Sequence, residues 1–320
     1  MSGTVWSFED AERYVLSLEL FGMRFGLDRM RRLMTALDRP QDRFRSIHVV
    51  GTNGKSSTVR MIAAILSEHG LRVGAYLSPH LVSFAERIRV GDADIEPRGF
   101  AAAIQRTARA AQLVDRTGAE DDHVTQFEAL TAAAYSELAV QDVEVAVVEA
   151  GLGGRYDATN VLASSVQVLT NVGLDHTRWL GPTPADIAAE KLAVVRAGQT
   201  LVVGALDPDI EVQARDLAKE RNARLVVAPL QPPEPVRAPG AFQRRNFAVA
   251  RTAAEAYLGK LDLDAVRRAA DSVSVPGRLQ VVDRAPLTLL DGAHNAAGMA
   301  ALVESLPELG DEDGPLVAVV

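Results

Sequence analysis

The sequence predicts an α/β protein built on a doubly wound, mostly parallel β-sheet. Short, largely apolar segments alternate along the chain with longer segments in which apolar residues recur at helical spacing. The apolar segments carry few polar residues, as strands do when helices cover both sides of a parallel sheet. Ligands in such folds bind beyond the carboxyl ends of the strands, so site residues are expected directly after strands.

Hydrophobic periodicity places the elements of the first half of the chain. One predicted helix has Val59, Ile62 and Leu66 on a single face and is closed by Gly70. The predicted strands cover residues 46–50, 71–77 and 143–150, and the predicted helices cover 8–18, 57–69, 100–114 and 125–140.

The second half continues the alternation after a proline-rich break. Five prolines in residues 229–240 predict a loop or linker. Strands are predicted over 166–172, 200–205 and 286–291 and from 315 onward, and helices over 184–196, 242–258, 262–272 and 296–306.

Composition narrows the class of function. The formal net charge of −8 argues against a general binder of nucleic acid or of an anionic membrane. The chain has no cysteine, so disulfides, thiolate catalysis and cysteine-based zinc sites are excluded. The first residues have neither a basic nor an apolar signal-peptide region, and no apolar run has the length of a membrane span. We therefore expect a cytoplasmic protein.

A glycine-rich loop follows the first predicted strand and precedes a predicted helix. The backbone N–H groups of this loop, the N-terminus of the helix and the ammonium group of Lys55 would together hold the phosphates of ATP. The alternative is an ordinary glycine–asparagine turn that caps a helix. The usual phosphate-loop pattern has glycine five residues before Gly54, where this chain has Val49. The loop and the helix start comprise Gly51, Thr52, Asn53, Gly54, Lys55, Ser56 and Ser57.

Glu149 lies at the carboxyl end of a predicted strand. A carboxylate in this position can bind Mg²⁺ directly or through water. The alternative interpretation is a glutamate that caps a helix or lies on the surface.

Several short motifs occur in a characteristic order. Gly-Thr-Asn-Gly-Lys55 precedes Leu-Ser-Pro-His-Leu81, and Glu149-Ala-Gly-Leu-Gly-Gly-Arg-Tyr-Asp-Ala-Thr-Asn160 precedes Asp175-His176 and Asp-Gly-Ala-His-Asn295. Together they resemble the folylpolyglutamate synthase / dihydrofolate synthase branch of the Mur ligase superfamily. The resemblance runs from about Phe8 to the last residue.

The resemblance implies an ATP- and Mg²⁺-dependent ligase that adds L-glutamate to dihydropteroate, to a folate or to both. The substrate carboxylate would take the γ-phosphoryl group of ATP, and the amine of glutamate would then attack the acyl phosphate. Such chemistry needs positioning and the neutralisation of phosphate charge, which lysine and magnesium supply. The implied fold is the Mur ligase central domain, residues 1–281, followed by the start of a Rossmann-like C-terminal domain, residues 282–320.

The resemblance also assigns roles to individual residues. Ser78, Glu149 and His176 would hold two magnesium ions, and Lys191 would bridge them as a carbamate. From the sequence alone, Lys191 is a helix-surface lysine, and Ser78 and His176 are ordinary loop residues. The predicted catalytic groups are Lys55, Lys191 and His294, and the nucleotide contacts from the second-domain side are Asn246, Arg278 and Asp291.

Four residues resemble the pteroate site of the family, namely Thr125, Phe127, Glu128 and Asp157. The ring of Phe127 would stack on the pterin, although it is equally typical of a helix core. Residues 22–25 fall where the family has an early substrate loop. The arginines at 29, 31 and 32 are interpreted as a solvated helix face.

The chain departs from the family in three places. Ser56 replaces a usual glycine and Ala296 a usual proline. Family members also carry on the order of 100 further residues. We therefore expect a fragment or a truncated gene product, and the sequence alone does not decide whether it has ligase activity. The alternatives are a UDP-muramyl-peptide Mur ligase and a nucleotide-binding remnant without ligase activity. A monomer is expected.

Overall fold

A computed structural model describes residues 5–19, 26–118, 122–309, 317 and 319. The strands are β1 (Arg45–Val50), β2 (Val73–Tyr76), β3 (Ile88–Val90), β4 (Ala93–Asp94), β5 (Val145–Glu149), β6 (Val166–Leu169), β7 (Thr200–Val203), β8 (Arg224–Val227), β9 (Gln280–Arg284) and β10 (Leu287–Leu290). The helices are α1 (Phe8–Ser17), α2 (Asp28–Ala36), α3 (Lys55–Glu68), α4 (Pro97–Thr117), α5 (Gln126–Val140), α6 (Thr177–Leu180), α7 (Pro184–Leu192), α8 (Pro208–Glu220), α9 (Ala241–Leu258), α10 (Leu263–Ser272) and α11 (Ala296–Ser305).

Eight of the strands form one sheet in the order β4-β3-β2-β5-β1-β6-β7-β8. The six from β2 to β8 in this order pair in parallel, whereas β3 and β4 add an antiparallel edge. Strands β9 and β10 form a separate antiparallel pair. The predicted fold class, a mostly parallel α/β sheet, is confirmed.

Helices cover both faces of this sheet because alternate strand residues point to opposite sides. In β5, Val145 and Val147 pack in the core formed with α3, α9 and α10. Ala146 and Val148 instead pack in the core formed with α1, α2, α4 and α5. A third cluster buries β6 and β7 against α7 and α8. The strands are therefore apolar on both faces, as the sequence predicts.

Helix α5 shows how local sequence and burial combine. Thr125 caps its N-terminus and forms a reciprocal capping box with Glu128. Most of the helix is buried, since it lies between the sheet and the helices α1, α2 and α4. Leu130, Ala134 and Leu138 recur at helical spacing and are fully buried, whereas Phe127 on the same face is half-buried.

Several elements differ from the sequence predictions. Helix α3 begins at Lys55 rather than at residue 57, because Gly54 adopts the left-handed conformation and starts the helix directly after the glycine loop. Helix α8 and strand β8 have no counterpart among the predicted elements; they lie at the edge of the sheet and bury fewer apolar residues. The predicted strand from residue 315 and the predicted substrate loop at 22–25 lie outside the described residues. Residues 229–240 contain neither helix nor strand.

The interpretation of three arginines as a solvated face of α2 is wrong for Arg29. Its side chain is buried, and its Nε donates to Glu128 Oε2 at 2.7 Å while Nη1 donates to Asp122 Oδ1 at 2.6 Å. Arg32 reaches the other oxygen of Asp122, and only Arg31 is well exposed. The acids that draw Arg29 inward are more than 90 residues away along the chain, so spacing within α2 did not reveal them.

Among the described residues, no helix is long and apolar enough to cross a membrane.

Candidate active site

One pocket of about 450 Å³ lies at the carboxyl edge of the parallel sheet. It is formed by the segments that follow β1, β2, β5 and β6, which are neighbours in the sheet. Lys191 near the end of α7 closes one further side of the pocket. The segments around Asn246, Arg278 and Asp291 close the others. The position agrees with the rule that parallel sheets bind ligands at this edge.

The glycine loop leads from β1 into α3 and lines the pocket. A Cβ on Gly51 would collide with the side chain of Thr170, and one on Gly54 would collide with Asn246, so both positions require glycine. The first N–H groups of α3 have no helical partners and are available to an anion. The Nζ of Lys55 donates to Thr52 O at 3.1 Å, which holds the ammonium over the loop. The arrangement is that of a phosphate-binding loop.

Neighbouring strand ends hold this loop in place. The backbone N–H of Asn53 donates to Asn171 Oδ1 at 2.9 Å, and Thr170 Oγ1 donates to Asn53 O at 2.6 Å. The Oγ1 of Thr52 donates to Gly173 O at 3.2 Å and accepts from the N–H of Gly173 at 3.0 Å. The segment after β6 therefore fixes the loop before any ligand binds.

Glu149 lies beneath the loop and is 2% exposed. Its Oε1 accepts from Ser56 Oγ at 2.9 Å and its Oε2 from the backbone N–H of Ser78 at 3.1 Å. Burial raises the pKa of this carboxyl, and the nearby Lys55 opposes the rise. The alternative of a surface glutamate is wrong, because the strand end that carries Glu149 lies at the centre of the sheet.

Lys191 is also buried, at 4% exposed, although the sequence alone suggests a surface lysine. That interpretation is wrong because α7 turns this side chain toward the sheet, where Nζ donates to Gly51 O at 2.9 Å. Burial first, and the positive charge of Lys55 second, lower the pKa of Lys191 to about 7. An amine with this pKa is about half neutral at pH 7, so a neutral nucleophile is available there.

The opposite wall comes from the last part of the described chain. Asp291 accepts from the N–H of Leu279 and of Ala293, both at 2.7 Å, and so shapes the turn that carries His294. Asn246 is buried at the start of α9, next to Gly54. Within the described residues, Arg278 donates only to the adjacent Gly277 O, which leaves most of its guanidinium available to a ligand.

Asn295 joins this wall to the phosphate loop. Its amide forms two reciprocal hydrogen bonds of 3.1 Å with the amide of Asn53, and its Nδ2 also donates to Asp175 Oδ2 at 2.9 Å. Asn295 Oδ1 caps α11 by accepting from Gly298 N. His294 and His176 lie 3.6 and 3.7 Å from the same aspartate.

The candidate metal ligands in the pocket suit a magnesium ion that also binds water and phosphate, rather than an ion enclosed by protein ligands alone. Among the residues that the structure describes, no group of three or more His, Asp or Glu side chains is arranged to hold a metal ion. Magnesium commonly uses one or two carboxylates and completes its shell with water and phosphate oxygens. Glu149 with the hydroxyls of Ser56 and Ser78 beside it matches that pattern. His176 is 53% exposed, on a loop that reaches the pocket from the β6 side.

The pocket brings together every predicted nucleotide, metal and catalytic residue. These lining residues are Gly51, Thr52, Asn53, Gly54, Lys55, Ser56, Ser57, Ser78, Glu149, His176, Lys191, Asn246, Arg278, Asp291 and His294.

The four predicted pteroate residues do not line this pocket. Thr125 and Glu128 form the cap of α5, and Glu128 also pairs with Arg29. Asp157 is buried and accepts from the N–H groups of Leu152 and Thr159. Phe127 lies behind the pocket wall, where a Cβ on Gly151 would approach the ring to 2.5 Å.

Sequence reasoning missed two residues that organise the pocket, Thr170 and Asn171. Both follow β6 directly, so the expectation that site residues follow strands could have found them. Asn295 was noted only as part of a motif, and its contact with Asn53 spans 242 residues.

The fold and the pocket define a class, namely the nucleotide-binding α/β domain of the Mur ligases. Residues 49–231 match the family described as Mur ligase middle domain. The chain is 33% identical to a dihydrofolate synthase/folylpolyglutamate synthase of Bacillus subtilis, over 94% of this chain and 76% of the relative. The chain belongs to the folylpolyglutamate synthase/dihydrofolate synthase family.

Solved structures agree with this placement. A folylpolyglutamate synthase of Mycobacterium tuberculosis complexed with ADP superposes with a TM-score of 0.88 at 31% identity, covering 94% of this chain and 73% of that chain. A complex of FPGS with AMPPCP and folate superposes with a TM-score of 0.90 at 30% identity, covering 96% of this chain and 82% of that chain. The chain thus spans about three quarters of the length of two of these relatives.

Proposed function

We propose that this protein is an ATP-dependent ligase that joins L-glutamate to dihydropteroate, to a folate or to both. The observation that carries the proposal is one pocket that combines a phosphate-binding loop, a buried glutamate and a buried lysine of lowered pKa, in a member of this family. A folate-bound relative supports the substrate class.

The phosphate loop would hold ATP so that its γ-phosphoryl group faces the substrate carboxylate. The N–H groups at the start of α3 and the ammonium of Lys55 would bind the phosphate oxygens. Asn246, Arg278 and Asp291 would contact the rest of the nucleotide from the opposite wall. In this arrangement the protein positions two anions against each other and offsets their repulsion.

Magnesium would neutralise phosphate charge as the transfer proceeds. Glu149, with Ser78 and Ser56, would hold one ion, and His176 would contribute to a second. Because Glu149 is already fixed by two hydrogen bonds, its carboxylate keeps one orientation when the ion binds.

We propose that Lys191 becomes a carbamate, as the resemblance implies. Its Nζ would attack the carbon of CO₂ and lose a proton, which requires the neutral amine. The lowered pKa of Lys191 supplies that form near neutral pH. The modification would place a buried anion beside the proposed metal positions.

The reaction would proceed in two displacements. A carboxylate oxygen of the substrate forms a bond to the γ-phosphorus as the bond to ADP breaks. The neutral amine of L-glutamate then attacks the acyl carbon, inorganic phosphate leaves, and the amine proton is lost. His294, at the mouth of the pocket beside Asp175, is placed to contact phosphate or the incoming glutamate.

We retain Phe127, Thr125, Glu128 and Asp157 as the proposed pteroate segment, but with an indirect role for Thr125, Glu128 and Asp157. The ring of Phe127 approaches the pocket wall at Gly151, and Asp157 accepts from the backbone N–H of Leu152 in the same wall. Thr125, Glu128 and Asp157 are buried and hydrogen-bonded to other protein groups, and they would act by positioning that ring and the adjacent loop.

We further propose that the protein acts in the cytoplasm, where ATP is plentiful, and works as a monomer. The comparisons do not favour the UDP-muramyl-peptide alternative, since they match this chain to folylpolyglutamate and dihydrofolate synthases.

Incubation of the purified protein with ATP, Mg²⁺, L-glutamate and either dihydropteroate or a folate tests the proposal. Mass spectrometry should detect a product one glutamyl residue heavier, and its formation should require ATP. ATP binding with no amide product from either acceptor would favour the nucleotide-binding remnant instead.

A further inference from the structure

A second cavity, of about 480 Å³, lies at the opposite edge of the sheet. It is formed by the segments that precede β1, β6 and β7, together with α2. The nucleotide pocket lies at the carboxyl ends of the same strands, so the two cavities are separated by the length of the sheet. None of the proposed ligase residues lines this second cavity.

The charged side chains that line it are mostly arginines. Arg31, Arg39 and Arg196 contribute three positive charges and Asp42 one negative charge, which leaves a formal excess of +2. Asp42 is already paired with Arg39 at 2.6 Å, and Arg31 is paired with Asp28 at 3.0 Å. Arg196 has no carboxylate partner among the described residues.

Arg196 is held in place through one guanidinium nitrogen, and its other two nitrogens form no hydrogen bond with the described residues. Its Nη2 donates to Asn160 O, Asn160 Oδ1 and Leu162 O, at 2.7, 2.8 and 3.1 Å. Its Nε is buried and has no hydrogen-bond partner within the described chain. Burial, followed by the positive charges of Arg31 and Arg221, lowers the pKa of this guanidinium. A half-buried cation that lies near further cations and has no carboxylate partner of its own among the described residues is a position that an anion would stabilise.

Gln41 provides a second, independent sign of a missing ligand. Its side chain is 7% exposed and lines the same cavity, yet its Oε1 has no hydrogen-bond partner in the described part of the chain. Buried amides are nearly always hydrogen-bonded in proteins. An amide beside three guanidinium groups can donate to an anionic oxygen and accept from a hydroxyl.

We infer that this cavity is a binding site for a phosphate group, centred on Arg196 and Gln41. Arginine forks bind phosphate oxygens in pairs, and the negative charge of a phosphate complements a lining in which arginines outnumber carboxylates. The volume exceeds what a free phosphate needs and falls in the range of small-molecule pockets, so a phosphate monoester also fits. The inference does not depend on the proposed ligase activity.

Calorimetric titration of the full chain tests this site. The Lys55→Ala variant serves as the parent, because it weakens phosphate binding at the glycine loop. Inorganic phosphate is titrated to about 10 mM, which largely fills a site with a Kd of about 1 mM. Glycerol 3-phosphate is titrated separately, and tighter binding of the ester identifies a monoester ligand, whereas equal binding identifies the free ion. Either result supports the site.

Two variants and one control locate the binding. Arg196→Gln and Arg31→Ala should each weaken phosphate binding by about tenfold or more, the effect of losing a charge-assisted hydrogen bond or a nearby cation. Arg31→Ala removes only an exposed side chain, so it remains informative if Arg196→Gln fails to fold. Arg43→Ala, which removes an exposed arginine outside the cavity, should leave the affinity unchanged. Absence of binding to the parent, or equal affinity in all variants, would overturn the inference.

Discussion

At the scale of single residues, the pocket depends on two buried ionisable groups that oppose stability. Glu149 and Lys191 are both nearly inaccessible, and burial disfavours the charged form of each. Such groups are typical of functional sites, because a side chain kept only for stability would be apolar or fully paired.

Glu149→Gln should abolish ligation and stabilise the fold. The amide keeps the shape of the side chain but loses the negative charge, so turnover should fall by about 100-fold or more. Because the folded-state pKa of Glu149 is raised, the stability it contributes is present at low pH and is lost as pH rises through that pKa. Without nucleotide and Mg²⁺, the variant should therefore melt above the parent at neutral pH, with a smaller difference at acidic pH. Glu220→Gln, on an exposed residue, is the control, and a variant that melts lower at neutral pH would contradict this reasoning.

Lys191→Ala should remove both the ligase activity and the ¹³C resonance of a lysine carbamate. Protein equilibrated with ¹³C-bicarbonate should show a carbamate resonance that is missing in the variant, while Lys219→Ala, on exposed Lys219, should retain it. The folded-state pKa of Lys191 is depressed from 10.5 to about 7, so stability falls as pH decreases through that window. The alanine variant should lose this slope in melting temperature between pH 10 and 7. A carbamate signal that persists in Lys191→Ala would show that another amine is modified.

At the scale of elements, the strand-end loops are held by contacts that run between distant parts of the chain. The sequence predicted the loop of Gly51 to Lys55 and the helix after it, because both are encoded within a few residues. It did not predict that Asn295 would reach Asn53, because that contact depends on how the segment after β10 approaches the sheet. The burial of Lys191 could not be predicted for the same reason, because its Nζ donates to the backbone of Gly51, which is distant along the chain.

Two substitutions at Asn295 separate its roles as helix cap and as amide partner. Asn295→Ala removes both, and loss of the cap should cost about 1 kcal/mol of stability. Asn295→Asp keeps a cap for α11 but loses the donor to Asn53 and places a carboxylate beside Asp175. If the amide pair aligns the phosphate loop, both variants should raise the KM for ATP several-fold. Equal KM values in Asn295→Asp and the parent would confine Asn295 to capping.

Gly151→Ala tests the wall between the pocket and Phe127. The added methyl would meet the Phe127 ring, so either the ring or the segment after β5 must shift. We expect the KM for the pterin-containing substrate to rise several-fold while the KM for ATP stays near that of the parent. Gly198→Ala, where a Cβ meets open space at a positive φ, controls for the general cost of replacing a glycine. A selective rise in the KM for ATP would contradict the proposed position of the substrate.

At the scale of the whole molecule, one large sheet places two cavities at its opposite edges. The carboxyl edge collects the residues of the proposed ligase, and the amino edge collects the arginines and the glutamine of the second cavity. We propose a division after residue 281, which falls within β9, a strand that pairs only with β10 among the described strands. Helix α11 nevertheless packs against α9 and completes the nucleotide pocket, and Arg244 and Arg245 pair with Glu308 and Glu304 across this contact.

The central claim is that ATP activates a substrate carboxylate for attack by glutamate, and oxygen transfer tests it most directly. The protein is given a pteroate or folate acceptor with ¹⁸O in the reacting carboxyl group, together with ATP, Mg²⁺ and L-glutamate. Because the acyl phosphate keeps one carboxyl oxygen on phosphorus when the amine displaces phosphate, the released inorganic phosphate should carry one ¹⁸O atom. Phosphate released without ¹⁸O, as in simple hydrolysis of ATP, would contradict the account.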